Sequence, residues 1–320
     1  MLSIKKIICN LITFSVLYIT PISTYAATDT TDESLINEKI ASVGFGKLFV
    51  SDPKKDITTL FKKLDTYTQK KDIKKIKSLY SEDFVNNDGF DYETYFKSLK
   101  SGFESYENRI VTTTIKSISV NDDYAVVYVC ENGEAETLKE TSGIEGKGIV
   151  LASADVYYYL KKDGRNWKIT SANVIDENCM ILYGTAKNIY FSLNVPTQVK
   201  SGSEYTSSLS FAPIKDTLVM ASLSTEPIVY PLPFSKEDFK TVKKDGILER
   251  LFIANSNNYN EYAIASIGLS KPKMISETAF NLELVGTAFV IRRVNVFKPA
   301  TQQKLFATKK VVNKEKDCIK

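Results

Sequence analysis

The chain has no histidine among its 320 residues, and this absence excludes more chemistry than any motif adds. Without imidazole there is no Ser-His-Asp or Cys-His nucleophile and no His-liganded zinc. No side chain titrates near neutrality without a perturbed environment. Carboxylates, tyrosines and lysines are left for proton transfer. Cysteine is scarce, four in all, and no two stand as Cys-x-x-Cys, which argues against a thiol–disulfide exchange enzyme. Tryptophan occurs once, at Trp167, where a core role is expected. An excess of one charge is also missing, with 42 basic against 38 acidic side chains, so there is no electrostatic case for a nucleic-acid partner. The Gly-rich stretch Gly143-Ile144-Glu145-Gly146-Lys147-Gly148 lacks the Ser/Thr and the strand–loop–helix setting of a phosphate-cradling loop. Asn86-Asn87-Asp88 and Asn121-Asp122-Asp123 lack calcium-loop spacing. No metal and no cofactor is expected.

Long apolar runs are absent apart from one at the start. Lys5 and Lys6 precede a mostly apolar Ile7–Ile19, Pro21 ends it, and Thr24-Tyr25-Ala26 offers the small residues of a cleavage site. Residues 1–26 therefore read as a signal peptide, and the chain as exported, periplasmic or extracellular. The run is short for a bilayer core of roughly 30 Å, and no other stretch would span one, so no transmembrane segment is expected in the mature chain. Removing it leaves Cys130, Cys179 and Cys318, an odd number. A Cys130–Cys179 disulfide is compatible with their shared domain, provided that their Cα atoms lie within about 7 Å.

Residues 27–55 read as an exposed lead-in, broken by Gly44, Gly46 and Asp52-Pro53. Ile57, Leu60, Phe61 and Leu64 then recur at helical spacing, with Asp56 as the expected cap and Tyr67 close behind. Ile73, Ile76, Leu79 and Tyr80 form a second helix capped by Asp72, and 91–106 a third. The period then changes to 2, with strands at 110–119, 123–131, 149–161 and 166–176. Gly143–Gly148 is expected to be a loose connection, and Lys162-Asp163-Gly164 a hairpin turn. Three helices followed by a four-stranded meander predict an α+β domain over 56–180. From 183 to 300 the pattern is short strands at 186–194, 204–212, 217–224, 248–254, 261–269 and 279–296, the last split near Gly286. A helical turn is expected over Ser235–Val242. This predicts a β-sandwich of immunoglobulin-like size, without the Cys…Trp…Cys signature. The polar Asn255–Asn260 reads as a hairpin with Tyr259 outward. Residues 301–320 form a flexible tail with six lysines against two acids.

Three segments carry a family resemblance. They are the helical opening ITTLFKKLDTYTQKKDIKKIKSLYSEDF (57–84), the helix FDYETYFKSLKSGFESY (90–106), and the closing hairpin VYYYLKKDGRNWKITSANVI (156–175). On them, residues 56–180 resemble the nuclear transport factor 2-like superfamily, near its SnoaL-like branch. The resemblance implies a cone: a curved sheet wrapped against helices, often around an apolar pocket. Some members are isomerases, cyclases or dehydratases, and many others only bind or dimerise. It places Asp155 as a pocket-lining acid and Tyr67 as a carbonyl-polarising tyrosine. Tyr157 and Tyr159 share Asp155's face as further ligand-binding candidates. Asp83, Asp88 and Asp91 are candidate bases by proximity alone. The competing reading leaves Asp155 in solvent or paired with Lys168 or Arg165.

The expectation that best covers these features is a non-catalytic binding or scaffolding module of the bacterial envelope or exterior. Its partner would be an envelope protein or polymer, and the cone's open sheet face is compatible with a homodimer. The alternative is a small-molecule carrier, or an acid/base isomerase- or dehydratase-type enzyme using Asp155 and Tyr67.

Overall fold

The computed structural model describes residues 52–141, 143–233, 237–243, 246–276 and 279–298. The signal segment, nearly all of the lead-in, the basic tail with Cys318, and Ser235 lie outside them. The chain divides into two compact units, the first ending at Tyr183 and the second starting at Gly184.

In the first unit, α1 (Pro53–Gln69) starts earlier than Asp56. Asp52 Oδ1 accepts from Lys54 N at 3.0 Å, and Pro53 opens the first turn. The Asp-Pro pair starts the helix rather than breaking it, because proline's fixed φ and missing N–H cost nothing at the first helical position. α2 (Ile73–Lys77) is capped by Asp72, whose Oδ1 accepts from Lys75 N. It stops before Leu79, and Tyr80 belongs to β1 (Tyr80–Asn86). α3 (Tyr92–Phe103) is capped by Asp91, whose Oδ1 accepts from Thr94 N. Asp91 is thus a capping group.

Four long strands follow: β2 (Tyr106–Asn121), β3 (Tyr124–Thr141), β4 (Ile144–Asp163) and β5 (Asn166–Gly184). They pair antiparallel in the order β5-β4-β3-β2, and β1 adds parallel to β5. Gly143–Gly148 is not a loose loop. Pairing continues through Glu136↔Ile149, Glu140↔Lys147 and Thr141↔Ile144, so nearly the whole segment belongs to a long β3–β4 hairpin. Gly148 is needed there, because a Cβ on it would stand 2.7 Å from the Tyr183 ring.

Extra residues bend the sheet. Lys116 on β2, and Thr170 and Ile175 on β5, have no opposite number in the register. Such bulges tighten the twist and curve the strand. The concave face carries Val127, Val129, Val156, Tyr158, Leu160 and Ile169 against Ile57, Phe61 and Leu64 of α1 and Phe96, Leu99 and Phe103 of α3, all buried. Trp167 is 5% exposed, within this core. Polar bonds fix α1 and the turn after it to β2. Asp65 accepts from Thr113 N and Oγ1, Gln69 Nε2 donates to Val111 O, and Lys71 Nζ donates to Tyr106 O and Phe103 O.

The second unit contains β6 (Phe191–Asn194), β7 (Gln198–Lys200), β8 (Glu204–Phe211), β9 (Leu218–Pro227), β10 (Lys240–Thr241), β11 (Ile247–Ile253), β12 (Glu261–Ser276) and β13 (Ala279–Phe297). One set pairs as β10-β9-β12-β13, with β7 parallel to β13, and the other as β11-β8-β6. β6 packs against β13, and β11 against β9. Three expectations fail here. The strand expected at 186–194 is only Phe191–Asn194, because Thr185–Asn188 is a turn of 3-10 helix. Lys240–Thr241 is a strand on β9 and not part of a helical turn, because its backbone pairs with Met220 and Ala221. Residues 279–297 form one strand and not two, since Gly286 pairs with Leu269 while Val285 alone bulges out of register.

Between the two sets lies a buried carboxylate. Glu261 Oε2 accepts from Tyr205 Oη at 2.9 Å, and Oε1 accepts from both Asn255 nitrogens at 2.7 Å. Asn255 Oδ1 in turn accepts from Asn257 N and Tyr259 N, so the Asn255–Asn260 stretch is held from beneath while Tyr259 is 46% exposed.

Candidate functional site

The strand β4 decides where the sequence candidates lie. Ala152, Ala154, Val156, Tyr158 and Leu160 face the helices and are buried, so Asp155, Tyr157 and Tyr159 face the opposite, convex side. Tyr67 is on α1, on the helix side, half-buried with Lys75 Nζ 5.7 Å from its ring centroid. The pair Asp155 and Tyr67 is therefore not assembled into one pocket, because the pleat sends them to different faces of the sheet. Asp155 sits opposite Cys130 on β3 and Asp176 on β5, near Tyr128, whose ring stacks on Tyr157 at 4.8 Å. It pairs with neither Lys168 nor Arg165 in register. Lys168 stands opposite Lys161, and its ammonium donates to Ser78 O. Asp83 is exposed on β1. Asp88 accepts from Asn86 Nδ2 in the turn after it.

Cys130 and Cys179 are both free thiols. Cys130 is on the convex face of β3, Cys179 is on the concave face of β5 opposite Ala152, and β4 runs between them. That placement forbids the disulfide. Burial pushes both thiols up, Cys179 strongly, and Asp155 adds to the effect on Cys130.

Inside the cone two acids are buried, Glu177 at 3% exposure and Glu131, which has no solvent exposure. Its Oε1 accepts from Tyr158 Oη at 2.8 Å, and its Oε2 has no hydrogen-bond partner. Burial drives its carboxyl well above the ordinary glutamate range. The Tyr158 hydrogen bond opposes that, and the nearby carboxylates Asp65 and Glu177 add to it. Tyr80 and Tyr95, whose hydroxyls are 3.4 Å apart, extend the cluster. Burial raises both phenols, Tyr95 to about 12. The space around them holds rings: Phe61 5.3 Å from Tyr158, Phe84 5.0 Å from Tyr80 and 4.9 Å from Tyr95, and Phe96 5.2 Å from Tyr80. A neutral acid with tyrosine hydroxyls is proton-donor chemistry in kind. Here Glu131, Tyr158 and Tyr80 are each at most 3% exposed, so the cluster is packed core.

Concavity lies instead on the outside of the same unit. A groove of about 600 Å³ runs between α2, β1 and the β4–β5 hairpin. β1 creates it. Tyr80 pairs with Ile169 and Val85 with Ser171, so four residues of β1 oppose one of β5, and Ser81–Phe84 arches away. Five lysines line the groove: Lys74, Lys77, Lys161, Lys162 and Lys168. Three acids, Glu82, Asp83 and Asp163, stand among them, with Tyr92 and the hydroxyls of Ser78, Ser81 and Thr170. Lys77 is held over the Tyr92 ring at 5.0 Å and pairs with Glu93 at 3.4 Å. Lys74 and Lys162 form no ion pair among the described residues. Among the described residues, no three Cys, Asp or Glu side chains converge as a metal set, and no helix is long and apolar enough to cross a membrane.

Sequence reasoning missed Glu131, Tyr158 and the groove. The first two were readable, since Val127, Val129 and Glu131 alternate onto one face, as do Val156, Tyr158 and Leu160. The groove was not, because it arises from a gap in β1–β5 pairing.

No family model and no curated protein matches the chain. Several solved structures are similar to part of it. An NTF2-like protein from Cytophaga hutchinsonii is 20% identical, with a TM-score of 0.30, covering 39% of this chain and 98% of its own. An NTF2-like superfamily protein from Salmonella enterica serovar Typhimurium is 14% identical, with a TM-score of 0.32 and coverage of 38% and 88%. A LinA-type3 hexachlorocyclohexane dehydrochlorinase from Novosphingobium barchaimii is 13% identical, with a TM-score of 0.31 and coverage of 38% and 84%.

Proposed function

We propose that this chain is an exported binding module of the bacterial envelope or exterior, built from a nuclear-transport-factor-2-like cone of the SnoaL-like kind and an immunoglobulin-like sandwich. The observation that carries the non-catalytic part is the state of the cone. Two acids of its concave face, Glu131 and Glu177, are buried, and Glu131 lies beneath Tyr158, Tyr80, Phe61 and Phe84 with no solvent exposure. The groups expected to do chemistry, Asp155 and Tyr67, diverge across the sheet. The export part is supported by the sequence of residues 1–26. The sandwich part is supported by the two strand sets of the second unit and the Tyr205–Glu261 bond between them.

The test is fractionation followed by co-sedimentation. The protein should leave the cytoplasm, and the purified form should sediment with isolated envelopes of its own cells, equally well with Glu131→Gln. The reading fails if the protein stays in the cytoplasm or does not sediment. Turnover of a dehydratase- or isomerase-type substrate that Glu131→Gln abolishes would restore the enzyme reading instead.

A further inference from the structure

The groove of the first unit has a composition that a binding module alone does not require. Five lysines line one concavity whose other polar side chains are three carboxylates, three aliphatic hydroxyls and the phenols Tyr80 and Tyr92. If only carboxylates or sulfates were to be held, the acids Glu82, Asp83 and Asp163 would be a pure cost, since each repels the ligand. They make sense if the ligand also carries hydroxyl groups. A carboxylate accepts two or more hydrogen bonds from a polyol, while a lysine, a point charge with three rotatable donors, suits a phosphate approached from several directions. Arginine, the residue for planar bidentate recognition of carboxylate, is not among the lining groups. Tyr92 supplies an aromatic surface at the groove's inner wall, steadied by Lys77.

The lysines also differ in how they are held. Lys168 is tied to Ser78 O, and Lys77 to Glu93 and the Tyr92 and Phe96 rings, so these two are pre-positioned. Lys74 is exposed and Lys162 half-buried, and both keep ammonium groups available for an incoming anion. This is the arrangement of a preformed site with two adaptable arms.

We propose that this groove binds a phosphate-bearing polyol or sugar unit, with the lysines on the phosphate and Glu82, Asp83 and Asp163 accepting from the ligand's hydroxyls. The assignment rests on the binding-module reading and names the ligand class of that module. Two sources share this chemistry, a free phosphate ester and a phosphodiester polymer of the envelope.

The experiment is calorimetric titration of the protein purified from its own cells. The probes are glycerol 3-phosphate and poly(glycerol phosphate), with polyglutamate and glycerol as comparators, each at two salt concentrations. The expected result is binding of a phosphate probe that weakens with salt, and little binding of polyglutamate or glycerol. Lys74→Gln with Lys162→Gln should weaken it about tenfold and lower the salt slope by about two, with an unchanged melting temperature. Lys309→Gln with Lys310→Gln, in the basic tail, should leave it unaltered. Saturation by the monomer identifies a free ester as the source, and binding of the polymer alone identifies the phosphodiester chain. Equal binding of polyglutamate would overturn the assignment, as would a loss caused by the tail substitutions and not by the groove ones, or no phosphate binding at all. If phosphate fails while the protein still sediments with envelopes, the ligand class is wrong and the module reading stands.

Discussion

Replacing Glu131 with glutamine tests the account of the cone interior, and the direction of its effect follows from linkage. Glu131 has no exposure, one hydrogen bond from Tyr158, and an Oε2 without a partner, so in the folded state its carboxyl holds its proton well above the ordinary range. In the unfolded chain it ionises near pH 4.3. Between those two points the folded state binds one more proton than the unfolded state. Stability therefore falls as pH rises, by about 1.4 kcal/mol per pH unit for this group alone. This is the reverse of a salt-bridged carboxylate, whose contribution is lost toward acid. Glutamine keeps the shape and the Tyr158 bond and cannot ionise. Urea unfolding of both proteins at pH 5 and pH 7 should thus give a stability difference that moves in favour of the variant at the higher pH, with one proton setting an upper bound of about 3 kcal/mol over that interval. A difference that stays flat would refute the reasoning, since it would mean that Glu131 is ionised in the fold and compensated there.

Four further outcomes follow from other parts of the structure. Gly148→Ala should cost about 1–3 kcal/mol in urea unfolding, because its Cβ would meet the Tyr183 ring at 2.7 Å. Tyr205→Phe should cost about 1.5–3 kcal/mol by leaving Glu261 Oε2 without its donor at a 4% exposed site, read as a lowered melting temperature. Asp155→Asn and Tyr67→Phe, on opposite faces of the sheet, should each leave envelope sedimentation unaltered. A loss in both would return them to one site. In the native protein iodoacetamide should modify half-buried Cys130 and spare Cys179 until denaturant is added, as peptide mass spectrometry would report.

The fold was legible where one physical signal dominated. Ile57, Leu60, Phe61 and Leu64 could only be a helix stripe, and Lys162-Asp163-Gly164 only a turn between two strands. Boundaries failed where two signals competed. Asp52-Pro53 reads equally as a stop or as a cap with proline at the first helical position, and only the backbone direction after it decides. Tyr80 continues the α2 apolar spacing yet belongs to β1, because its partner Ile169 lies far along the chain. The glycines of 143–148 looked like a loop, but Gly146 and Gly148 are strand residues, Gly148 kept small by the Tyr183 ring, and Gly143 is in the hairpin turn at positive φ.

The site was less legible than the fold. Segment 153–159 alternates tyrosines onto both faces, so composition alone could not say that Tyr158 points inward and Asp155 outward. The apolar partners Val156 and Leu160 carried that information. No local pattern announces the groove, whose lysines come from α2, the end of β4 and β5 and meet only because β1 leaves its neighbour for four residues. The free thiols likewise depend on pairing, since Cys130 and Cys179 are separated by the whole width of β4.

The central claim is that this protein works by binding through the outside of its first unit, not by chemistry inside it. The most direct measurement is lysine footprinting: acylation rates by mass spectrometry, for the protein alone and mixed with isolated envelopes. The account predicts slowed acylation at Lys74, Lys161 and Lys162, with Lys54 and Lys271 unaffected. Protection confined to other lysines, or none anywhere, would contradict it.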